Sequence, residues 1–185
     1  MRQNSAMGSL LAGRRAARLV RSARAKHGAG GVKGWGHALQ DALLSGSVAA
    51  GTTAATVALA GARDSGSAIA PLNATSHIAW GESAGNVANV DAKHTLVGSV
   101  LHVGACVFWA AFFEKYFGHA AVKGEVGKTL LGGAAVATAA YVTDYHVVPQ
   151  RLTPGWEYRI SRRSLAATYG VLALSLALHG LLRRR

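Results

Sequence analysis

Charge is scarce in this sequence, and cysteine is nearly absent. Only 15% of the 185 residues are charged, against about a quarter in an average soluble domain. The single cysteine, Cys106, excludes an intramolecular disulfide and any cysteine-based metal motif. Lying in an apolar stretch, it reads as a small buried residue. Acids are rarer than bases, eight against twenty, and none occurs in the first 34 residues. There is no Glu-x-x-His and no His-x-x-x-His, so the histidines have no diagnostic metal spacing. No nucleophile–base pair stands out, so no enzyme activity and no catalytic residue is expected, and neither a cofactor nor a bound metal. Gly124 to Thr129 imitates the end of a phosphate-binding loop, but Val122 stands where the pattern needs glycine, and no strand precedes it.

What the sequence does have is a basic tail. Arg2, Arg14, Arg15, Arg18, Arg21, Arg24, Lys26 and Lys33 all precede Gly34. Such a run suits a polyanion. No nucleic-acid-binding motif accompanies it, so the expected partner is the anionic inner leaflet, contacted through Arg14, Arg15, Arg18, Arg21 and Arg24, and not nucleic acid. Residues 10–24 have an amphipathic pattern suited to lying on that leaflet, with a solvated tail as the alternative. No apolar segment follows the basic stretch closely enough for a secretory signal. Its acid-free, arginine-bearing composition also mimics a mitochondrial presequence; a retained cytoplasmic tail over residues 1–37 is the reading adopted.

Beyond the tail the chain carries long uncharged runs. A membrane helix needs about 20 residues to cross ~30 Å of hydrocarbon. Residues 42–62, 94–113 and 164–182 contain no Asp, Glu, Lys or Arg. A fourth run, 129–143, is shorter and must extend to Val148, before Pro149, to cross. That extension carries Asp144 and His146 toward the membrane. A fifth uncharged stretch, 65–81, holds Pro71, Asn73, Thr75, Ser76 and His77, and reads as an interfacial or re-entrant segment. In it Ile69, Leu72 and Trp80 are expected on the apolar side, and Asn73 and His77 on the other face. The expected architecture is an all-α integral membrane bundle of four transmembrane helices, about 38–62, 94–117, 127–148 and 164–182, within a membrane domain of residues 38–183.

Counting Lys and Arg with both termini inside gives fourteen cytoplasmic against six external, in the sense of the positive-inside rule. A five-helix count gives thirteen to seven and is barely distinguished by charge. Small residues recur on stripes: Gly46, Ala50, Ala54 and Ala58 in the first helix, and Gly133, Ala137, Ala140 and Asp144 in the third. Such stripes let helices approach closely, within the bundle or, alternatively, in a homo-oligomer. Trp35, Tyr116, Tyr145, Trp156 and Tyr158 suit the aromatic interfacial belt.

Ionisable groups inside a bilayer are costly, and each is a candidate for function. His102 is the deepest, on a stripe with Gly98, Ala105 and Trp109. A His102–Asp144 hydrogen bond would satisfy both groups. With His146, and with His77 and Asn73 in the segment above, they form the first candidate set. His37, Asp41, Glu114 and His179 form a second set at the inner end, where snorkelling to water is the simplest reading. Between Pro149 and Arg159 the chain turns at Pro154-Gly155. There Trp156, Tyr158 and the arginines suit lipid headgroups, and Arg151 and Glu157 are placed to cap Asp144 or His146.

Two segments, Ala70-Pro71-Leu72-Asn73-Ala74-Thr75-Ser76-His77-Ile78-Ala79-Trp80-Gly81 and Asp144-Tyr145-His146-Val147-Val148-Pro149 through Gly155, resemble a group of small bacterial inner-membrane proteins with about four helices. The resemblance spans roughly residues 38–182. It implies a multi-pass inner-membrane location and carries no activity. Three roles follow as expectations: a structural or accessory bundle; proton, ion or small-solute transport through His102, Asp144 and His146; or histidine ligation of haem or metal.

Overall fold

The structure is a computed structural model in which residues 32–183 are described; all of their regular elements are helical. The arginines proposed for lipid contact and the amphipathic stretch 10–24 lie outside these residues. Helix α1, Trp35–Ser65, runs past the uncharged stretch at both ends. Its 31 residues measure about 46 Å, more than the hydrocarbon thickness, so its ends reach beyond the apolar core. Gly66 stops it in the left-handed conformation at φ 75°.

The chain then folds back through two short helices, α2 (Ala70–Ala74) and α3 (His77–Trp80). Helix α4 (Ala92–Tyr116) starts at Asp91, whose carboxylate accepts the His94 N–H at 2.6 Å. Those bonds, first the His94 backbone N–H and then its ring, hold the Asp91 carboxyl below its ordinary pKa. After α5 (Gly118–Lys123) comes α6 (Val126–Val142), continued by a π turn over Thr143–Val147. Pro149 prevents further helix, and short 3₁₀ turns at Gln150–Leu152 and Trp156–Tyr158 lead to α7, Arg162–Leu182.

Three helices, α1, α4 and α7, are long and apolar enough to cross a membrane. Helix α6 has 17 residues, about 26 Å. It packs along α7, while α1 lies against both α4 and α7. The packing is inside-out relative to a soluble bundle. The core of α1 is built from Ala38, Ala42, Gly46, Ala49, Ala50 and Thr53, whereas Leu43, Leu59, Val100, Phe108, Leu131, Leu174 and Leu178 all face outward and are at least half exposed. Large apolar side chains pointing away from the core are placed to meet lipid, and small ones inside let the backbones approach.

The close approaches are explicit. A Cβ on Gly46 would overlap the Val107 backbone, and one on Gly133 would overlap the Ala173 carbonyl. The stripe Gly133, Ala137 and Ala140 is buried as expected. In α1 the expected stripe holds at Gly46 and Ala50 but leaves Ala54 and Ala58 half-buried; the buried face turns instead through Thr53, Val57 and Ala60. In α4 the buried face is Gly98, His102, Cys106 and Ala110, spaced by four, and not Ala105, which is exposed.

The segment between α1 and α4, expected to be interfacial or re-entrant, is gripped at two adjacent residues: Pro71 lies where a Gly61 side chain would be, and the Leu72 carbonyl lies against Gly98. Asn73 is fully buried and donates to the carbonyls of Val87 (3.1 Å) and Asn89 (2.8 Å) while accepting from Thr95 (2.8 Å). It thus ties the segment to the start of α4. Trp80 is exposed with Lys93 Nζ 4.9 Å from its ring centroid, and Ile69 and Leu72 are half-buried.

Candidate functional site

At the loop end of the bundle, where α2, α3 and the 149–160 loop gather, a cavity of about 250 Å³ lies between α1, α4, α6 and α7. His102 and Asp144 both line it, with Thr53, Thr75, Cys106, Trp109, Ala140, Trp156 and Tyr169. The two ionisable groups therefore share a cavity, but they do not bond to each other. His102 Nε2 lies 3.1 Å from the Ala50 carbonyl and 3.1 Å from Thr53 Oγ1. A carbonyl only accepts, so Nε2 carries the ring proton. Thr53 passes its own hydroxyl proton to the Ala49 carbonyl at 2.7 Å. Asp144 accepts from the Tyr169 hydroxyl at 2.6 Å. The expected His102–Asp144 bond is absent because each found a nearer partner on α1 or α7.

Asp144 and His146 lie on a π turn, a feature often found at functional positions, and being two residues apart they face opposite sides of the helix. Asp144 lines the cavity; His146 is exposed and lies over Tyr141, 5.5 Å between ring centroids, in a second cleft between α6 and α7. His146 thus leaves the expected set. His77 is buried but does not line the cavity. Its Nδ1 faces the Ala74 carbonyl at 2.8 Å and its Nε2 faces the Gln150 carbonyl at 3.3 Å. It joins the re-entrant segment to the 149–160 loop.

That loop does not sit as expected. Trp156 is 6% exposed, not in the headgroup layer, and closes the cavity between His102 (5.5 Å) and Tyr169 (6.2 Å). Gly155, at φ 77°, makes this insertion feasible, since a Cβ there would strike the Ala74 carbonyl and the His77 ring. Arg151 reaches the Ile78 carbonyl at 3.4 Å, and Glu157 accepts from Thr153 at 2.5 Å. Neither caps Asp144; Tyr169 does. Tyr169 was not singled out from the sequence, although it lies on the buried α7 stripe with Leu165, Leu172 and Leu176.

At the opposite, tail end, Asp41 reaches water in part, with its side chain 28% exposed, whereas Glu114 does not snorkel. Lys33 Nζ bonds Asp41 at 2.7 Å and Glu114 at 2.6 Å; Arg183 bonds Asp41 at 2.6 Å and Glu114 at 3.3 Å. Two cations and two carboxylates close a ring that joins the approach to α1 with α1, α4 and the end of α7. Glu114 is only 1% exposed; its two charge-assisted bonds, to Lys33 and Arg183, offset the cost of placing it there. His37 is exposed and stands outside the ring, and His179 lies near it with a buried Nε2 that has no hydrogen-bond partner. Among the described residues no group of three or more His, Cys, Asp and Glu side chains is placed to hold a metal ion. No protein-family model, curated protein or solved structure matched this chain.

Proposed function

We propose that this chain is a four-span membrane protein, with both termini cytoplasmic, that holds a small, largely apolar molecule in the cavity beneath its re-entrant segment. The cavity carries the reading. It is lined by all four long helices, is mostly apolar, and contains a few convergent polar groups, the general character of a small-molecule site. Its volume, about 250 Å³, lies just below the usual range for such sites, which suits a ligand of one or two rings. Helix α6, lengthened by the π turn to Val147, supports the fourth span. The excess of lysine and arginine at the tail end supports its cytoplasmic placement, and the resemblance to bacterial inner-membrane proteins supports that membrane. Holding a solute is compatible with an accessory role or with transport; the separation of His102, Asp144 and His146 argues against a continuous proton relay through those three.

Filling the cavity tests this directly. Ala140 is fully buried and lines it; the neighbouring Ala139 is exposed on the lipid side. In lipid nanodiscs, toluene is expected to bind wild-type and Ala139→Phe protein saturably and to lose saturable binding to Ala140→Phe. Unsaturable partitioning alone in all three would overturn the proposal.

A further inference from the structure

Between α6 and α7 the outer surface of the bundle falls away into a second cleft, of about 730 Å³. Ala134 and Thr138 on α6 and Ala166 and Gly170 on α7 line it and are exposed. A Cβ on Gly170 would meet nothing within 4 Å, so the cleft is open to the lipid side. Along α7 it runs from Arg162 to Ala173, about 16 Å of helix. That is close to half of the ~30 Å hydrocarbon layer, the depth of one leaflet.

The two ends of the cleft differ in charge. Its deep end is closed by Ala134, Ala137 and Ala173, where Gly133 lies against the Ala173 carbonyl. Its mouth, at the loop end, gathers three ionisable side chains from three separate pieces of backbone. They are His146 on the π turn, Glu157 in the 3₁₀ turn after Gly155, and Arg162 at the head of α7, all exposed. Among the described residues Arg162 forms no ion pair, and it does not reach Glu157 although the two share the mouth. Glu157 accepts from Thr153 through one oxygen; a carboxylate has about four acceptor positions, so room remains for a cation.

An anionic headgroup at this mouth would meet Glu157, and a cationic one would meet Arg162. A headgroup carrying both charges answers both. Going beyond the ligand-holding cavity, and resting with that reading on the membrane span of α6, we infer that the α6–α7 cleft seats an ethanolamine phospholipid of the loop-side leaflet. Its phosphate meets Arg162, with His146 alongside. Its ammonium donates to Glu157, and an acyl chain lies along Ala166 and Gly170 toward Ala173. A basic group between membrane helices is a known means of holding a lipid phosphate; the acid beside it adds the selection for ammonium. A choline headgroup has no N–H to donate.

Native mass spectrometry of the full chain in mild detergent tests the inference, with dioleoyl phosphatidylethanolamine and dioleoyl phosphatidylcholine as probes. The wild type is expected to bind its first ethanolamine lipid about three- to five-fold more tightly than the choline lipid, the strength of a good exposed ion pair. Glu157→Gln should bring the two affinities together. Arg162→Gln should weaken both lipids alike, whereas Arg163→Gln, exposed but outside the cleft, should change neither. Gly170→Leu fills the acyl path and should weaken both; Ala167→Leu, exposed on α7 outside the cleft, should not. Equal wild-type affinities, or a preference that survives Glu157→Gln, overturn the inference. So does a lipid-free dimer that Gly170→Leu disperses, which makes the cleft a contact between two copies. Toluene binding reports on the four-helix cavity alone, so a missing lipid preference leaves the ligand-holding role standing, and missing toluene binding leaves the lipid site standing.

Discussion

The two ends of the bundle use polar residues in opposite ways. At the tail end Lys33, Asp41, Glu114 and Arg183 satisfy one another in a closed ring. At the loop end His102, Asp144 and Tyr169 are satisfied pairwise, but Thr75 and Trp156 are left unpaired around a cavity. Neither cost nor unpaired atoms separate the ends, since each buries ionisable side chains and each holds buried nitrogens without a partner, His119 and His179 at the tail end and Trp156 at the loop end. What separates them is that the tail end is locked by a closed ring of ion pairs and the loop end is built around a cavity. A closed ring reads as a clamp; a cavity reads as a place for something else.

That contrast can be broken most forcefully at the clamp. Glu114→Ala strands Lys33 and Arg183 on Asp41 alone and is expected to cost about 3 kcal/mol, the low end for breaking a buried pair because Asp41 remains. Denaturation in nanodiscs measures it, and toluene binding by the folded fraction should survive. Gly98→Val tests the opposite end. Its side chain would meet the Leu72 carbonyl and push the re-entrant segment off α4, with an expected loss of about 2 kcal/mol by overpacking and, unlike the clamp variant, a loss of ligand affinity. Tyr169→Phe removes the one hydrogen bond to Asp144 and is expected to destabilise by about 1–2 kcal/mol, the penalty for an acceptor left without its donor. Thr53→Val should cost about 1 kcal/mol or less, because His102 keeps the Ala50 carbonyl.

The smallest effect is expected at Asp91, outside the membrane. Its pKa is depressed in the folded state. Its contribution is therefore complete above its unfolded value near ~3.9 and fades as pH falls through the lower folded value. Wild-type stability should decline slightly more than that of Asp91→Asn across this acidic window; parallel profiles would remove the role given to this cap.

How much of this was legible in the sequence depends on the range of the interaction. The uncharged runs marked the long helices within a few residues, because lipid imposes a local rule on every turn. Helix α1 outran its estimate at Arg63 and Asp64, which remain helical; Asp64 there accepts from Ser161 N (2.8 Å) and Ser164 Oγ (2.5 Å). The pairing of Lys33 with Glu114, 81 positions apart, leaves no local trace, so the acids read as snorkelling. Trp156 beside Pro154-Gly155 has the composition of a headgroup loop; only the fold shows that the turn drives it inward. His102 and Asp144 were recognisable as costly intramembrane groups, yet their partners, a carbonyl and a tyrosine, belong to residue types too common to be singled out. His146 was grouped with Asp144 by its nearness in sequence, but two residues apart on a helix they face opposite ways, into different clefts.

The tryptophans allow the ligand-holding claim to be tested most directly. Trp109 and Trp156 line the cavity, while Trp35 and Trp80 are each 46% exposed at the surface. With 5-fluorotryptophan incorporated and toluene titrated into nanodiscs, the ¹⁹F resonances of Trp109 and Trp156 should shift saturably and those of Trp35 and Trp80 should stay fixed. Equal shifts at all four positions, or shifts confined to Trp35 and Trp80, would contradict the account.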